Sequence, residues 1–336
     1  LAGMAAKVAG ALRENGIQPG DRVAIILPNV PAFPVVFWGI LLAGGTVVPM
    51  NPLLKAGEID YFFSDSGAKV AFVWPDFVDE ATKGAANAGT RIIPCGPMGP
   101  ADGTLEGGEP IAEAVERDDE ETAIILYTSG TTGRPKGAEL THRNVRLNAE
   151  RSSGSILEVT HDDIVMGCLP LFHVFGLVVG LVAATTVGAS LALIPRFDPG
   201  EAIKVISNEK VTIFQGVPTM YAAILNHPEA DAMDATSLRA CASGGSAMPL
   251  EVMRGFEEKF GCMVLEGYGL SETSPVASFN MPDRERKPGT IGVAIPGCEM
   301  RCVDLEGREV PVGEVGEIAI RGDNVMKGYW NKPEAT

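Results

Sequence analysis

Apolar positions along this chain fall into two kinds of run. Short ones rich in β-branched residues, Val23-Ala-Ile-Ile-Leu27, Thr46-Val-Val48, Lys69-Val-Ala-Phe-Val73 and the stretches 164–166, 190–194 and 212–214, predict buried strands. Longer ones at 31–43, 58–66, 176–184, 199–209 and 219–225 predict helices. Pro31 stands in the first turn of its helix, where a missing N–H costs little, and Gly44-Gly45 ends it. Thr141 is placed to cap a helix running through Arg151. Strands alternating with helices predict an α/β fold of two layered αβα subdomains with mainly parallel sheets. From Gly289 the pattern changes to short, glycine-punctuated strands at 299–304 and 316–321, which suits the start of a small β-barrel subdomain.

The expected organisation is therefore 1–154, 155–288 and 289–336. At 336 residues the chain exceeds one ordinary core. Residues 84–108 are Gly/Ala/Pro-rich and read as a variable connection, and 118–121 as a solvated acidic run. Two stretches, 23–54 and 164–195, carry no Asp, Glu, Lys or Arg and are long enough to span a bilayer. Pro28, Pro31, Pro34, Pro49 and Pro52 interrupt the first, and Pro170, His173 and Gly188 the second, so both read as passages through a buried core. The chain opens inside a helix without an initiator Met and stops just after a turn at Thr336, so a piece of a longer protein, cut at both ends, is expected.

Composition changes this picture little. A hydrophobic fraction of 46% with 21% charged residues is globular. The net charge of −16 argues against a nucleic-acid partner, which needs clustered Lys and Arg. The six cysteines form no C-x-x-C pair and no metal cluster with the four histidines, and they read as reduced core residues of a cytoplasmic protein without a signal peptide.

Chemistry concentrates in Tyr127-Thr-Ser-Gly-Thr-Thr-Gly-Arg-Pro-Lys-Gly137. Glycines let backbone amides approach a polyanion closely, and Ser/Thr hydroxyls and one lysine add donors and charge. A triphosphate is the obvious occupant. A Walker A loop is excluded, because Pro135 precedes Lys136 and Gly137 follows it. A plain surface turn would account for the glycines but for neither the hydroxyl density nor the lysine. The loop is expected to follow a strand and precede a helix, with its amides facing the crevice at the sheet's carboxyl end.

This loop resembles the phosphate-binding signature of the adenylate-forming superfamily, which includes acyl-CoA and aryl-CoA synthetases, luciferases and peptide-synthetase adenylation domains. Further blocks occur in the family's order: Leu169-Pro-Leu-Phe-His-Val-Phe-Gly176, Ser243-Gly-Gly-Ser-Ala-Met-Pro249, Gly267-Tyr-Gly-Leu-Ser-Glu-Thr273 and Gly313-Glu-Val-Gly-Glu-Ile-Ala-Ile-Arg-Gly322. The resemblance covers essentially the whole chain. It implies ATP and Mg²⁺ as cofactors and coenzyme A as co-substrate. Thr128, Ser129, Gly130, Thr131, Thr132 and Gly133 would wrap the β- and γ-phosphates beside Lys136. Tyr268, with Glu266, Gly267, Gly269 and Ser271 around it, would stack on adenine. Gly244, Gly245 and Ser246 would lie on the base's other side, Glu272 would bind Mg²⁺ and Thr273 would contact the α-phosphate. His173 would lie beside the acyl carboxylate and orient it, since a carboxylate needs no general base near neutral pH. Val217-Pro-Thr-Met-Tyr221 and Val276 would line the acyl pocket. No Asp accompanies His173 and Phe175 to pair a substrate amine, which points to an unaminated acid.

The family's ribose-binding Asp, hinge and C-terminal lid with a catalytic Lys would lie beyond Thr336, so these residues alone are expected to turn over little or nothing. The activity expected of the whole is a carboxylic acid:CoA ligase acting on medium- or long-chain fatty acids. An aryl-acid ligase, an acyl-AMP ligase loading a carrier protein, a luciferase-like oxidase and a non-catalytic nucleotide-binding relative remain alternatives. Transient membrane contact suits an enzyme of lipid-like acids, and a homodimer is a further possibility. A dinucleotide-dependent oxidoreductase is excluded for want of a G-x-G-x-x-G turn with its following acidic residue.

Overall fold

The computed structural model describes residues 1–100, 108–128 and 133–336. Along β1 (Arg22–Ile26), Val23 and Ile25 enter one apolar cluster while Ala24 and Ile26 enter another, as the period of two demands. Four more strands follow: β2 (Thr46–Pro49), β3 (Val70–Val73), β4 (Arg91–Gly96) and β5 (Gly99–Pro100). Next come β6 (Thr122–Thr128) and β7 (Lys136–Thr141). The spatial order is β7-β6-β2-β1-β3-β4-β5. Pairing is parallel from β6 through β4, whereas β7 runs antiparallel to β6 and β5 to β4.

The second sheet contains β8 (Ile164–Gly167), β9 (Ser190–Leu193), β10 (Ile213–Gly216), β11 (Ala240–Ser243) and β12 (Val264–Gly269), with the antiparallel β13 (Val276–Phe279) and β14 (Val293–Ala294) at one edge. Where a barrel was expected to begin, β15 (Cys298–Val303) and β16 (Glu317–Gly322) form a two-stranded antiparallel ribbon. The chain then returns to the first sheet, and β17 (Gly328–Tyr329) pairs with β7 at its edge.

The two sheets share a helical layer. Phe33, Val36, Phe37 and Ile40 of helix 32–42 pack in one cluster with Leu177, Val178, Leu181 and Val182 of the π-helical stretch Phe175–Val182. These are the two charge-free stretches of the sequence, and both lie inside protein. Among the described residues no helix is long and apolar enough to cross a membrane. Helices 56–66 and 78–88 cover the outer face of the first sheet through Phe63 and Ala81. Helices 199–209, 218–225 and 250–260 cover that of the second through Ile206, Tyr221 and Phe256. The result is a layered α/β fold with mainly parallel sheets.

Two local expectations change. Of the Gly/Ala/Pro-rich stretch 84–108, residues 84–100 finish helix Val78–Ala88 and supply β4 and β5, with Ala81 and Ala85 packed on the sheet and Ile93 and Cys95 pointing inward, while 101–107 lie outside the described residues. The phosphate loop is followed by strand β7, with the helix His142–Arg151 starting only at its far end. Thr141 does cap that helix, its hydroxyl accepting from Asn144 N at 3.1 Å. The acidic run is partnered: Asp119 meets Arg146 at 2.6 Å and Glu121 meets Arg117 at 2.6 Å.

Asp163, at the entry to β8, locks the second sheet. Its carboxylate accepts from Arg239 at 2.6 and 2.8 Å, from Thr212 Oγ1 at 2.7 Å and from Thr160 N at 2.7 Å. Burial alone would raise its pKa, but Arg239 and these donors outweigh it and hold the carboxyl well below its usual range. Removing the charge leaves Arg239 without its counter-ion. Asp163→Asn is expected to lower the unfolding free energy by about 2–4 kcal/mol at neutral pH. Because the folded pKa is depressed, this stabilisation is complete above the unfolded carboxylate's value of about 4 and fades below it. Urea titrations should therefore show the gap between wild type and variant closing as the pH falls through that range.

Candidate active site

The carboxyl ends of β6, β10, β11 and β12 open onto one cavity of about 580 Å³. It is lined by Thr128, His173, Gly244, Gly245, Gly267, Tyr268, Gly269, Ser271 and Glu272, and on its apolar side by Phe175, Val217, Met220, Val276 and Phe279. Residues from four separate sequence blocks thus meet in one place. Ser129, Gly130, Thr131 and Thr132 lie outside the described residues.

The wall bearing Tyr268 is shaped by close backbone approach. A Cβ on Gly269 would sit 1.8 Å from Pro275 O, and one on Gly267 2.2 Å from the Phe279 ring. These glycines admit β13 against β12, and Tyr268 projects from between them. Opposite, Gly245 takes φ +82°, a left-handed conformation that glycine adopts without the cost a side chain brings, as the chain leaves β11. Glu266 is buried below this loop rather than in the cavity. Its Oε1 accepts from Met248 N at 2.9 Å, so it props the 243–248 turn. Ser246 is exposed and does not line the cavity.

His173 is exposed onto the cavity, and the protein around it partly desolvates the ring. That desolvation pushes its pKa below the ordinary imidazole value. Its Nδ1 accepts from Phe175 N at 3.3 Å, which assigns the proton of the neutral ring to Nε2. The block bearing it is held by Asn29, a residue sequence reasoning did not single out. Buried at the end of β1, Asn29 donates to Gly167 O at 3.1 Å and Leu169 O at 2.7 Å and accepts from Leu171 N at 3.0 Å. Tyr221, expected in the acyl pocket, is fully buried core, its hydroxyl donating to Ala242 O at 2.7 Å.

Lys136 opens β7 directly across from Thr128, and Gly133, at φ +128°, is exposed just before it. Lys136 Nζ lies 4.6 Å from the centroid of the Tyr329 ring. The Tyr329 hydroxyl donates to Glu272 Oε1 at 2.7 Å, and burial together with that carboxylate pushes the phenol's pKa up to about 12. Thr273 is buried under the wall, its hydroxyl accepting from Leu270 N at 2.9 Å and donating to Pro275 O, so it braces the turn. Asp65, also missed, anchors the strands around the phosphate loop. It accepts from Tyr127 Oη at 2.7 Å and Lys332 Nζ at 2.9 Å. Among the described residues no cluster of three or more His, Cys, Asp or Glu forms a metal cage. Glu272 alone therefore suits Mg²⁺ only where phosphate oxygens and water complete the shell.

A second, mostly apolar crevice of about 560 Å³ shares Pro170, Phe172 and Met220 with the first and has Trp74 and Arg196 on its walls.

A crevice at the carboxyl ends of parallel strands, with Thr128, a half-buried tyrosine and a lone carboxylate on its wall, is the arrangement of a nucleotide-binding α/β enzyme fold. Residues 1–330 match the family of AMP-binding enzymes, and the chain belongs to it. It is 36% identical over 366 residues to a long-chain-fatty-acid–CoA ligase of Bacillus subtilis (strain 168), covering 99% of this chain and 65% of that protein. It is 37% identical over 334 residues to a feruloyl-CoA synthase of Amycolatopsis sp, covering 98% and 66%. The crystal structure of ATP-bound MatB from Rhodopseudomonas palustris superposes with a TM-score of 0.92 at 33% identity, over 99% of this chain and 66% of that one. The chain thus spans slightly less than two thirds of the curated relatives it matches.

The Asn29 bridge generates a prediction. Asn29→Ala takes their side-chain partner from the buried Leu171 N–H and the Leu169 carbonyl, while Gly167 O keeps Ile194 N, and is expected to lower stability by about 2–3 kcal/mol. Chemical denaturation measures this, and hydrogen exchange should report earlier opening at Leu171 than in the central strands.

Proposed function

We propose that this chain carries the nucleotide and acid sites of an ATP-dependent carboxylic acid:CoA ligase acting on a medium- or long-chain fatty acid. The observation carrying the reading is the single cavity joining Thr128, Tyr268 and Glu272 to an apolar recess with His173 at its mouth. Adenine stacks on Tyr268 against the Gly244–Gly245 turn. Thr128, the 129–133 loop and Lys136 surround the β- and γ-phosphates. Glu272 would be the hard oxygen ligand for a Mg²⁺ brought with the nucleotide, which would screen phosphate charge. Contact of Thr273 with the α-phosphate requires its hydroxyl to release Pro275 O, so its first role is to hold the turn.

In the first half-reaction a carboxylate oxygen attacks the α-phosphorus. The bond from that phosphorus to the oxygen bridging it to the β-phosphate breaks, and acyl-AMP and pyrophosphate result. His173 Nε2–H orients the carboxylate, and Lys136 stabilises charge building on the departing pyrophosphate. In the second, the thiolate of CoA attacks the acyl carbon and AMP leaves. The crevice behind Pro170 and Phe172 is the natural approach for that thiol's apolar arm, with Arg196 available to a phosphate. An apolar recess without a carboxylate to pair an amine supports an unaminated acid. The likeness to feruloyl-CoA synthase supports an aryl acid as a second reading.

Acid-dependent exchange of labelled pyrophosphate into ATP tests this on the full-length protein. Fatty acids of eight to sixteen carbons should drive exchange more strongly than ferulate or benzoate, and Lys136→Ala and Glu272→Ala should each cost on the order of 100-fold. Exchange with no acid of the panel would refute the ligase reading, and exchange with aryl acids alone would move it to the second.

A further inference from the structure

The return of the chain to the first sheet after residue 322 packs Met326 and Trp330 against the fold's apolar clusters, and it is also tied to the site at several points. Met326 N donates to Glu272 O at 2.8 Å, Lys327 N to Glu139 O at 2.9 Å and Trp330 N to Gly137 O at 2.8 Å. The Trp330 indole donates to Asp65 O at 3.0 Å, and Lys332 pairs with the Asp65 carboxylate. These bonds fix Tyr329 between the first residue of β7 and the 271–273 turn.

At that position one side chain touches both charged groups of the polar wall. The ring faces the Lys136 ammonium at 4.6 Å, within the reach of a cation–π contact. The hydroxyl donates to Glu272 Oε1 at 2.7 Å, a charge-assisted hydrogen bond. Among the described residues no ion pair joins Lys136 to Glu272, and nothing donates to Glu272 Oε2. An ammonium and a carboxylate side by side without a spacer would pair with each other. Both would then be withdrawn from a polyphosphate and its cation.

We propose that Tyr329 is a positioning residue that separates Lys136 from Glu272, keeping the ammonium for phosphate and turning the second carboxylate oxygen toward a phosphate-borne divalent cation. The inference rests on the nucleotide reading of the site. Its two halves come apart chemically: the hydroxyl serves Glu272, and the ring keeps Lys136 away from it. Tyr329→Phe removes only the first. Tyr329→Leu removes both and frees the lysine to fold onto the carboxylate.

Calorimetric titration of the full-length protein with ATP, in EDTA and again in magnesium chloride, reads both halves without turnover. For Tyr329→Phe, ATP affinity in EDTA should stay within twofold of wild type, while the enhancement produced by Mg²⁺ falls about tenfold, the order expected of a hydrogen bond to a charged group. For Tyr329→Leu, affinity in EDTA should fall about tenfold as well. Adding Glu272→Gln to Tyr329→Leu should restore ATP binding in EDTA, because the lysine then has no anion to pair with; a general loosening of the strap would not be rescued this way. An undiminished Mg²⁺ enhancement in Tyr329→Phe, or no rescue in the double variant, overturns the proposal while the nucleotide site stands. A wild-type protein that binds ATP in neither buffer overturns the site reading and this inference together.

Discussion

The site depends on one constraint: two charge-free helical stretches, far apart in sequence, bury each other's apolar surface between two sheets. Phe33 and Phe37 on one side and Leu177 and Leu181 on the other are fully or nearly fully excluded from water. Neither stretch has a polar face to offer solvent, so each is stable only when covered on all sides. Covering them forces the sheets to sandwich a common layer. The carboxyl ends of β6 from the first sheet and β10 to β12 from the second then face the same cavity. Asn29 sits at that junction, a buried amide with all its partners in the other half of the chain. The chemistry of the crevice follows from this packing, since no single sheet contributes both the phosphate hairpin and the tyrosine wall.

Within the cavity the recurring problem is to hold opposite charges near each other without neutralisation. The protein uses different spacers for different groups. Asp65 is consumed by Tyr127 and Lys332 and so cannot draw Lys136 away. Glu266 is spent on a backbone N–H beneath the 243–248 turn. Tyr329 stands between Lys136 and Glu272. His173 is kept neutral by partial desolvation and adds no cation beside the acid. Lys136 and Glu272 form no ion pair among the described residues and share only Tyr329, and in a chain of net charge −16 that leaves Lys136 conspicuous across from Thr128.

Much of this was legible in the sequence because it is local. Short β-branched apolar runs identify β1, β3 and β8, and Thr141 marks its helix by capping chemistry alone. Short motifs carry Tyr268, Glu272, His173 and Thr128, which line one cavity, since each motif sits at a strand end. What could not be read is non-local. Asn29 acts on residues 138 to 142 positions away, Tyr329 on one 57 away, and Asp65 receives Trp330 across 265. No spacing or composition encodes such partners. The expectation of a helix directly after the phosphate loop failed for a related reason. Residues 136–141 show no period-two alternation in burial, and their strand character is decided by pairing with β6 on one side and β17 on the other.

The glycines around Tyr268 show how a motif can be read in the right place for an incomplete reason. The family resemblance gives them only as neighbours of a tyrosine that would stack on adenine. In the structure, side chains at Gly267 and Gly269 would collide with Phe279 and with Pro275 O, both on the segment that closes the sheet behind the tyrosine. The bare backbone therefore serves the packing of β13 before it serves any ligand. Yet the two demands coincide. Drawing β13 tight against β12 seats the 271–273 turn, ties Asn148 to Val276 O at 2.9 Å, and so fixes where the Glu272 carboxylate emerges. The tyrosine that would stack a base and the glutamate that would meet a cation are thus aligned by one close backbone contact. A side chain at either glycine would disturb both at once, even though neither functional group had changed.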